Sequence, residues 1–133
     1  GVHILSPEAF EAMPEAGCVI RTAYRTWVDS GAPVLGIVDD SPWADLGTVS
    51  EYHRLNLELA SGSFRWPGVE PRGGCILPAG IEPSQPIREC VIGEGVTLDE
   101  GVTLERCVVW SGTRVTESAT NAVLTAEHRV VLA

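Results

Sequence analysis

The spacing of apolar and polar positions changes repeatedly along this chain. Val2-His3-Ile4-Leu5 is an apolar run of strand length and predicts a short strand. Ser6-Pro7-Glu8 follows with the side-chain acceptor, fixed φ and first-turn acid that start a helix. Ile20, Ala23, Tyr24, Trp27 and Val28 then recur at i, i+3, i+4, i+7 and i+8, one apolar helical face that Gly31 is placed to end. Pro33 to Val38 predicts a second strand. Thr48-Val49-Ser50-Glu51 is a capping box, and the helix it opens carries Tyr52, Leu55 and Leu59 on one face before Ser61-Gly62 stops it.

Beyond Ile92 a new period begins. Ile92, Leu98 and Leu104 each open a group of six, with Val96, Val102 and Val108 four places on; after Val108 the frame slips by one to Val109 and Val115. A six-residue period suits neither a 3.6-residue helix nor a simple hairpin. It suits a solenoid in which each six makes one flat side of a triangular coil, with aliphatic side chains stacked inward. Ile76 to Ile81 reads as a poorly formed first side. Arg88-Glu89-Cys90-Val91 and Glu105-Arg106-Cys107-Val108 stand 17 residues apart. If they stack, Arg88 faces Glu105, Glu89 faces Arg106, and Cys90 faces Cys107 as a small core pair, a disulfide being the alternative.

Composition adds limits. The 133 residues hold Gly 14 and Pro 9, so turns are frequent, and Ser63 to Gly80 concentrates them as a linker. Nine Lys and Arg against 18 Asp and Glu leave a net charge of −9, which argues against nucleic acid or an anionic membrane as partner. No apolar run reaches the roughly 20 residues of a membrane span. Cys18, Cys75, Cys90 and Cys107 show no CxxC spacing, which argues against zinc. With no secretion signal legible, they predict reduced thiols in a cytoplasmic protein. Gly1 in place of Met, followed at once by an apolar run, predicts a chain cut from a longer one.

The stretch with the most chemical content is Pro42-Trp43-Ala44-Asp45-Leu46-Gly47-Thr48-Val49-Ser50-Glu51-Tyr52. It sets one carboxylate between a large aromatic and a glycine, just ahead of a capped helix. Such an aspartate either caps the turn or faces a cleft and binds a hard cation such as Mg²⁺. This stretch resembles the W-x-D-x-G-T-x-x-x-Y motif of the sugar-1-phosphate nucleotidyltransferases (NDP-sugar pyrophosphorylases). Gly1-Val2-His3-Ile4-Leu5-Ser6-Pro7 is similar to a segment that precedes that motif in the family, and Asn56 and Leu59 suit the helix after it. The hexapeptide part resembles the left-handed parallel β-helix that several members carry at the C-terminus.

The resemblance implies an α/β fragment of a nucleotidyltransferase domain in residues 1–62, a linker in 63–86 and a short left-handed parallel β-helix of hexapeptide repeats in 87–133. It is closest to the mannose-1-phosphate guanylyltransferase-like members. In this family a sugar 1-phosphate attacks the α-phosphorus of a nucleoside triphosphate and pyrophosphate leaves. Asp45 would be the catalytic, metal-binding carboxylate for Mg²⁺, Trp43 would line the sugar side, and Gly47 with Thr48 would shape the turn. The glycine-rich nucleotide loop G-x-G-x-R-L, its following lysine and the first metal aspartate are absent from these residues. The chain alone is therefore expected to be silent, its NTP and sugar 1-phosphate being handled with an N-terminal catalytic half.

Two other functions compete. Hexapeptide-repeat acyltransferases use a coil histidine as general base; His128 stands alone in the repeat part and reads as a surface residue. Three converging histidines, as in β-helical zinc carbonic anhydrases, are excluded by the scatter of His3, His53 and His128. A non-catalytic assembly module is the third reading, with a homo-oligomer formed through the β-helix. In it Val109 and Trp110 would present an exposed aromatic, the alternative being that Trp110 packs on the C-terminal tail, and the Val130-Val131-Leu132 tail would cap the last coil or join a partner.

Overall fold

A computed structural model of the chain describes residues 2–79 and 86–132. They form two compact units, Gly1–Asp40 and Ser41–Ala133.

In the first unit, helix α1 (Pro7–Glu11) starts as its residues dictate. The Ser6 hydroxyl accepts the Ala9 amide at 3.2 Å, and Pro7 occupies the first turn. Its own backbone N–H, and the Ser6 hydroxyl after it, hold the Glu8 carboxyl below its ordinary range. The predicted second helix is broken into two parts, a π-helical turn over Ile20–Tyr24 and α2 (Arg25–Asp29). The Tyr24 and Arg25 amides reach back to the carbonyls of Val19 and Ile20. The wider turn rotates the apolar stripe out of line: Ala23 is buried, whereas Ile20 and Val28 face solvent. Gly31, at φ 77°, ends the helix as expected.

The two predicted strands of this unit do not form. Residues 2–5 and 33–38 enter no ladder among the described residues, and Val2, Ile4, Leu35, Ile37 and Val38 are exposed. Alternation gives a segment the capacity to pair; a strand exists only where a neighbour takes its N–H and C=O groups.

In the second unit, helix α3 (Val49–Ser61) runs between the expected boundaries, Thr48 capping its start and Gly62, at φ 77°, its end. It packs against three strands of a parallel sheet. The strands are β1 (Ile87–Arg88), β2 (Val91–Ile92), β3 (Thr97–Leu98), β4 (Leu104–Val109), β5 (Arg114–Val115), β6 (Ala119–Leu124) and β7 (Arg129–Val131). Strands β1 and β2 both pair with β4, β4 pairs with β6, and β3 pairs with β5, all in parallel; β7 lies antiparallel on β6. Helix α3 covers β2, β4 and β6.

The registers explain the sequence pattern. Ile87 faces Leu104 and Val91 faces Val108, a step of 17 residues; Leu104 then faces Ala119, a step of 15. Arg88 thus meets Glu105 at 3.9 Å, and the Arg106 guanidinium meets Glu89 at 3.2 Å, as their spacing predicted. Ile76 bridges Val91 in parallel, so part of the weak first six does stack; Gly80 and Ile81 lie outside the described residues.

At each layer one residue adopts a positive φ: Gly74 at 76°, Glu89 at 51°, Arg106 at 54° and Asn121 at 49°. The bend resets the alternation of side chains. Leu104, Cys107 and Val109 all point into one core, whereas a straight strand would have sent 104 and 107 to opposite faces. Directly after each bend comes a small, fully buried residue, namely Cys75, Cys90, Cys107 or Ala122. The Cys90 amide donates to Cys75 Sγ at 3.4 Å and the Cys107 amide to Cys90 Sγ at 3.3 Å. Val108 and Val123 are buried outside this core, on strands that α3 covers. Gly93 has a different constraint: a Cβ there would lie 2.4 Å from the Ser111 amide nitrogen, so the close approach of those layers requires glycine.

All four cysteines are free thiols, Cys18 exposed and the other three buried. The hydrogen bond with Cys107, and burial after it, push the Cys90 thiol far above its usual range. A thiol reagent should therefore titrate Cys18 alone in the native protein, with Cys75, Cys90 and Cys107 reacting only after denaturant unfolds the second unit. Counting labelled cysteines by peptide mass spectrometry checks this.

Candidate functional site

Residues 42–48 form an irregular stretch that leads into the cap of α3. The Thr48 hydroxyl accepts the Glu51 amide at 3.1 Å and donates to Glu51 Oε2 at 2.9 Å. In an ideal capping box the glutamate returns to the backbone amide of the cap residue. Here it accepts a hydrogen bond from the Thr48 hydroxyl, which orients the cap oxygen toward the helix. The helix start is thereby fixed, and the loop before it ends in a defined place.

Trp43 is 69 % exposed, and Asp45 is exposed as well. The Asp45 and Glu51 carboxylates flank Gly47: a Cβ there would stand 3.6 Å from Asp45 Oδ1 and 3.7 Å from Glu51 Oε2. These are ordinary contact distances, and Gly47 is not among the glycines of positive φ. Nothing in the backbone therefore demands glycine at 47. Thr48, whose cap was legible from its spacing to Glu51, does the local structural work.

The fit of this segment to Mg²⁺ follows from its donor set. No group of three His, Cys, Asp or Glu side chains that could enclose a metal occurs among the described residues. Asp45 offers one exposed carboxylate. That suits an ion held by one or two carboxylates together with substrate phosphates, and does not suit an all-protein cage.

Trp43, Asp45 and Gly47 lie together in the chain but line neither of two larger clefts of the same unit. One, of roughly 720 Å³, runs along α3 past Ser50, His53, Arg54, Glu58, Glu89 and Arg106. The other, of roughly 590 Å³, is bounded by Pro42, Leu59, Phe64, Trp66 and Pro71, with the Phe64 and Trp66 rings stacked at 6.2 Å.

Helix α3 contains a residue that sequence reasoning weighed only as a zinc ligand. His53 is 6 % exposed, and its Nε2–H donates to the Arg106 carbonyl at 2.7 Å. Counting only apolar positions placed Tyr52, Leu55 and Leu59 on the buried face. The structure buries His53, Leu55 and Ala60, with Tyr52 and Leu59 half-buried. No local pattern signals the burial of His53, because the acceptor it meets lies 53 positions away. Asn56 donates to the Tyr52 carbonyl one turn back, at 2.8 Å.

Trp110 is 53 % exposed and meets Tyr52 edge-on at 6.5 Å, while Val109 beside it is buried. Trp110 thus lies against Tyr52 of α3 and stays exposed, whereas Val109 points into the core. The tail caps: β7 covers β6, and the Leu132 amide donates to the Asn121 carbonyl at 2.8 Å. His128 is exposed beside Glu127, as a surface residue would be. On the same outer surface Arg114 pairs with Asp99 at 3.0 Å, a hydrogen bond and charge attraction that raise the arginine's pKa further.

Among known proteins, the chain is similar to the glucose-1-phosphate adenylyltransferase of Corynebacterium jeikeium (strain K411). The two are 26 % identical, over 61 % of this chain and 26 % of that protein. The chain thus spans about a quarter of the length of the curated relative it matches. No family model matches the sequence, and no solved structure matches it significantly. The similarity is to the broad class of sugar-1-phosphate nucleotidyltransferases, the class that the Trp43–Tyr52 segment resembles. Among the described residues no helix is long and apolar enough to cross a membrane.

Replacing Thr48 by Ala removes the hydroxyl that both caps α3 and holds Glu51, and should cost about 1 kcal/mol. Gly47→Ala should change stability by less than about 0.5 kcal/mol. Urea unfolding of the two variants, followed by circular dichroism, checks the contrast.

Proposed function

We propose that this chain is the C-terminal part of an NDP-sugar pyrophosphorylase, and that it is catalytically silent without the nucleotide-binding part of such an enzyme. The observation that carries this reading is the Trp43–Tyr52 segment, an exposed aromatic and carboxylate held just ahead of a firmly capped helix. The similarity to a glucose-1-phosphate adenylyltransferase supports the class. The 15- and 17-residue parallel registers support reading the strands as turns of a short β-helix, for which the family resemblance implies a left hand, and its coil ends would serve pairing with a second copy.

In this reading a sugar 1-phosphate oxygen forms a bond to the α-phosphorus of a nucleoside triphosphate in line. The bond from that phosphorus to the bridging oxygen breaks, and pyrophosphate leaves with the electron pair. Asp45 would be one ligand of a Mg²⁺ ion, which supplies neutralisation of the phosphate charge. Trp43 would offer its indole face to the sugar. The net charge of −9 is repulsive to a triphosphate, so the cations that hold it would come from residues outside this chain. The exposed runs 2–5 and 33–38 fit the same view, as strands whose neighbours in a larger sheet would be supplied by those residues.

Pyrophosphate exchange tests the proposal, with GTP and mannose 1-phosphate compared with ATP and glucose 1-phosphate. The 133 residues alone should show none. A longer protein that contains them should exchange, and Asp45→Asn should lower its rate at least about a hundredfold, the scale for losing several kcal/mol of charge stabilisation. Enzyme-like turnover by the isolated chain, or full activity in Asp45→Asn, would overturn it.

A further inference from the structure

We propose that His53 is a positioning residue: it ties the Asp45 segment to the parallel sheet by donating its ring N–H to the left-handed bend at Arg106. The contact stands on geometry alone; only its consequence for Asp45 rests on the nucleotidyltransferase reading.

The argument begins at the bend. The β4–β6 ladder pairs Glu105 with Thr120 and Cys107 with Ala122, and passes over residue 106. A residue left out of the ladder must find partners for its backbone polar groups elsewhere. The same bend one layer on shows the need met from outside, since the Asn121 carbonyl accepts the Leu132 amide at 2.8 Å. At Arg106 the donor is His53 Nε2, at 2.7 Å and across 53 positions of sequence. A 6 % exposed imidazole on a helix otherwise buried through Leu55 and Ala60 is expensive unless its N–H is satisfied. Bend and histidine therefore need each other.

The side chains of the bend residues leave the carbonyl to His53. The Arg106 guanidinium is turned away, bonded to Asn121 Oδ1 at 2.8 Å and Glu89 Oε2 at 3.2 Å. Arg54, beside His53, is paired with Glu58 at 2.6 Å. His53 lies five residues into the helix from the Thr48 cap, a rise of roughly 7 Å along a rigid element. The Tyr52–Trp110 edge contact adds a second point near the same end. Fixing His53 thus fixes the cap, and the cap fixes the loop that carries Asp45.

The test compares His53→Ala with His53→Gln, whose amide nitrogen can reach about as far as Nε2. By hydrogen exchange on the 133-residue chain, His53→Ala should speed the Glu51 and Tyr52 amides roughly tenfold, while amides of β3 and β5, which α3 does not cover, change less than about twofold. His53→Gln should restore the slow exchange. If the alanine variant does not fold, His53→Met, which keeps bulk without a donor, takes its place in the comparison. In the longer, active protein the donor-free variant should lower kcat roughly tenfold, with the sugar phosphate KM changed less than about twofold, and glutamine should recover most of the rate. Unchanged or uniformly raised exchange, a glutamine variant no better than alanine, or an unaffected kcat overturns the inference. If the wild-type longer protein shows no pyrophosphate exchange, the nucleotidyltransferase reading falls, and the amide comparison still decides whether His53 holds the helix start.

Discussion

Everything in the second unit depends on one bend. Gly74, Glu89, Arg106 and Asn121 stack at the same place in successive layers, each with positive φ. Only the first is glycine. The others carry a backbone strain on the order of 1–3 kcal/mol each, which the surroundings must outweigh. The bend brings residues three apart onto one face, so that each layer contributes a large aliphatic and then a small residue to a continuous core. Ile87 with Cys90 and Leu104 with Cys107 follow that pattern, and Ala119 with Ala122 sets a small residue at both positions. Without it the alternation of a straight strand would expose half of these side chains.

What outweighs the strain is mainly burial. Surface ion pairs such as Arg88 with Glu105 are more than 40 % exposed on both sides and contribute little. Cys75, Cys90, Cys107 and Ala122 are fully buried, where no bulkier column would fit between layers so close. The polar chain from Glu89 through Arg106 to Asn121 orders the outside of the bend. The carbonyls that the bend turns out of the ladder become docking points, one for His53 of α3 and one for the tail at Leu132. A local distortion of the strand thus decides where a helix and a chain end attach.

Legibility from sequence followed the range of the interactions concerned. The Ser6 and Thr48 caps and the glycine stops at 31 and 62 were readable, because each rests on groups within a few residues of one another. The 17-residue register was readable because the Arg-Glu-Cys-Val and Glu-Arg-Cys-Val segments repeat one small-residue and charge pattern. Strands at 2–5 and 33–38 were not correctly readable, since pairing needs a neighbour that periodicity cannot supply. The continuous helix at residues 20–28 was misread because a π-turn changes helical phase without changing composition. In the candidate site, the candidacy of Trp43 and Asp45 was legible from motif spacing. Their exposure, and the redundancy of glycine at 47, were not.

The sequence by itself determined the local starts and stops, the acidic surface, the stacking period and the Trp43–Tyr52 segment, because these depend on neighbouring residues or on repetition. The tertiary structure alone decided which residues take the strained bend, which carbonyls leave the ladder, and that a histidine on α3 answers one of them. His53 and Arg106 are 53 positions apart with no shared pattern. The donor and the orphaned acceptor acquire meaning only once the fold has put both in the same buried place, where an unmet hydrogen bond costs more than the contact.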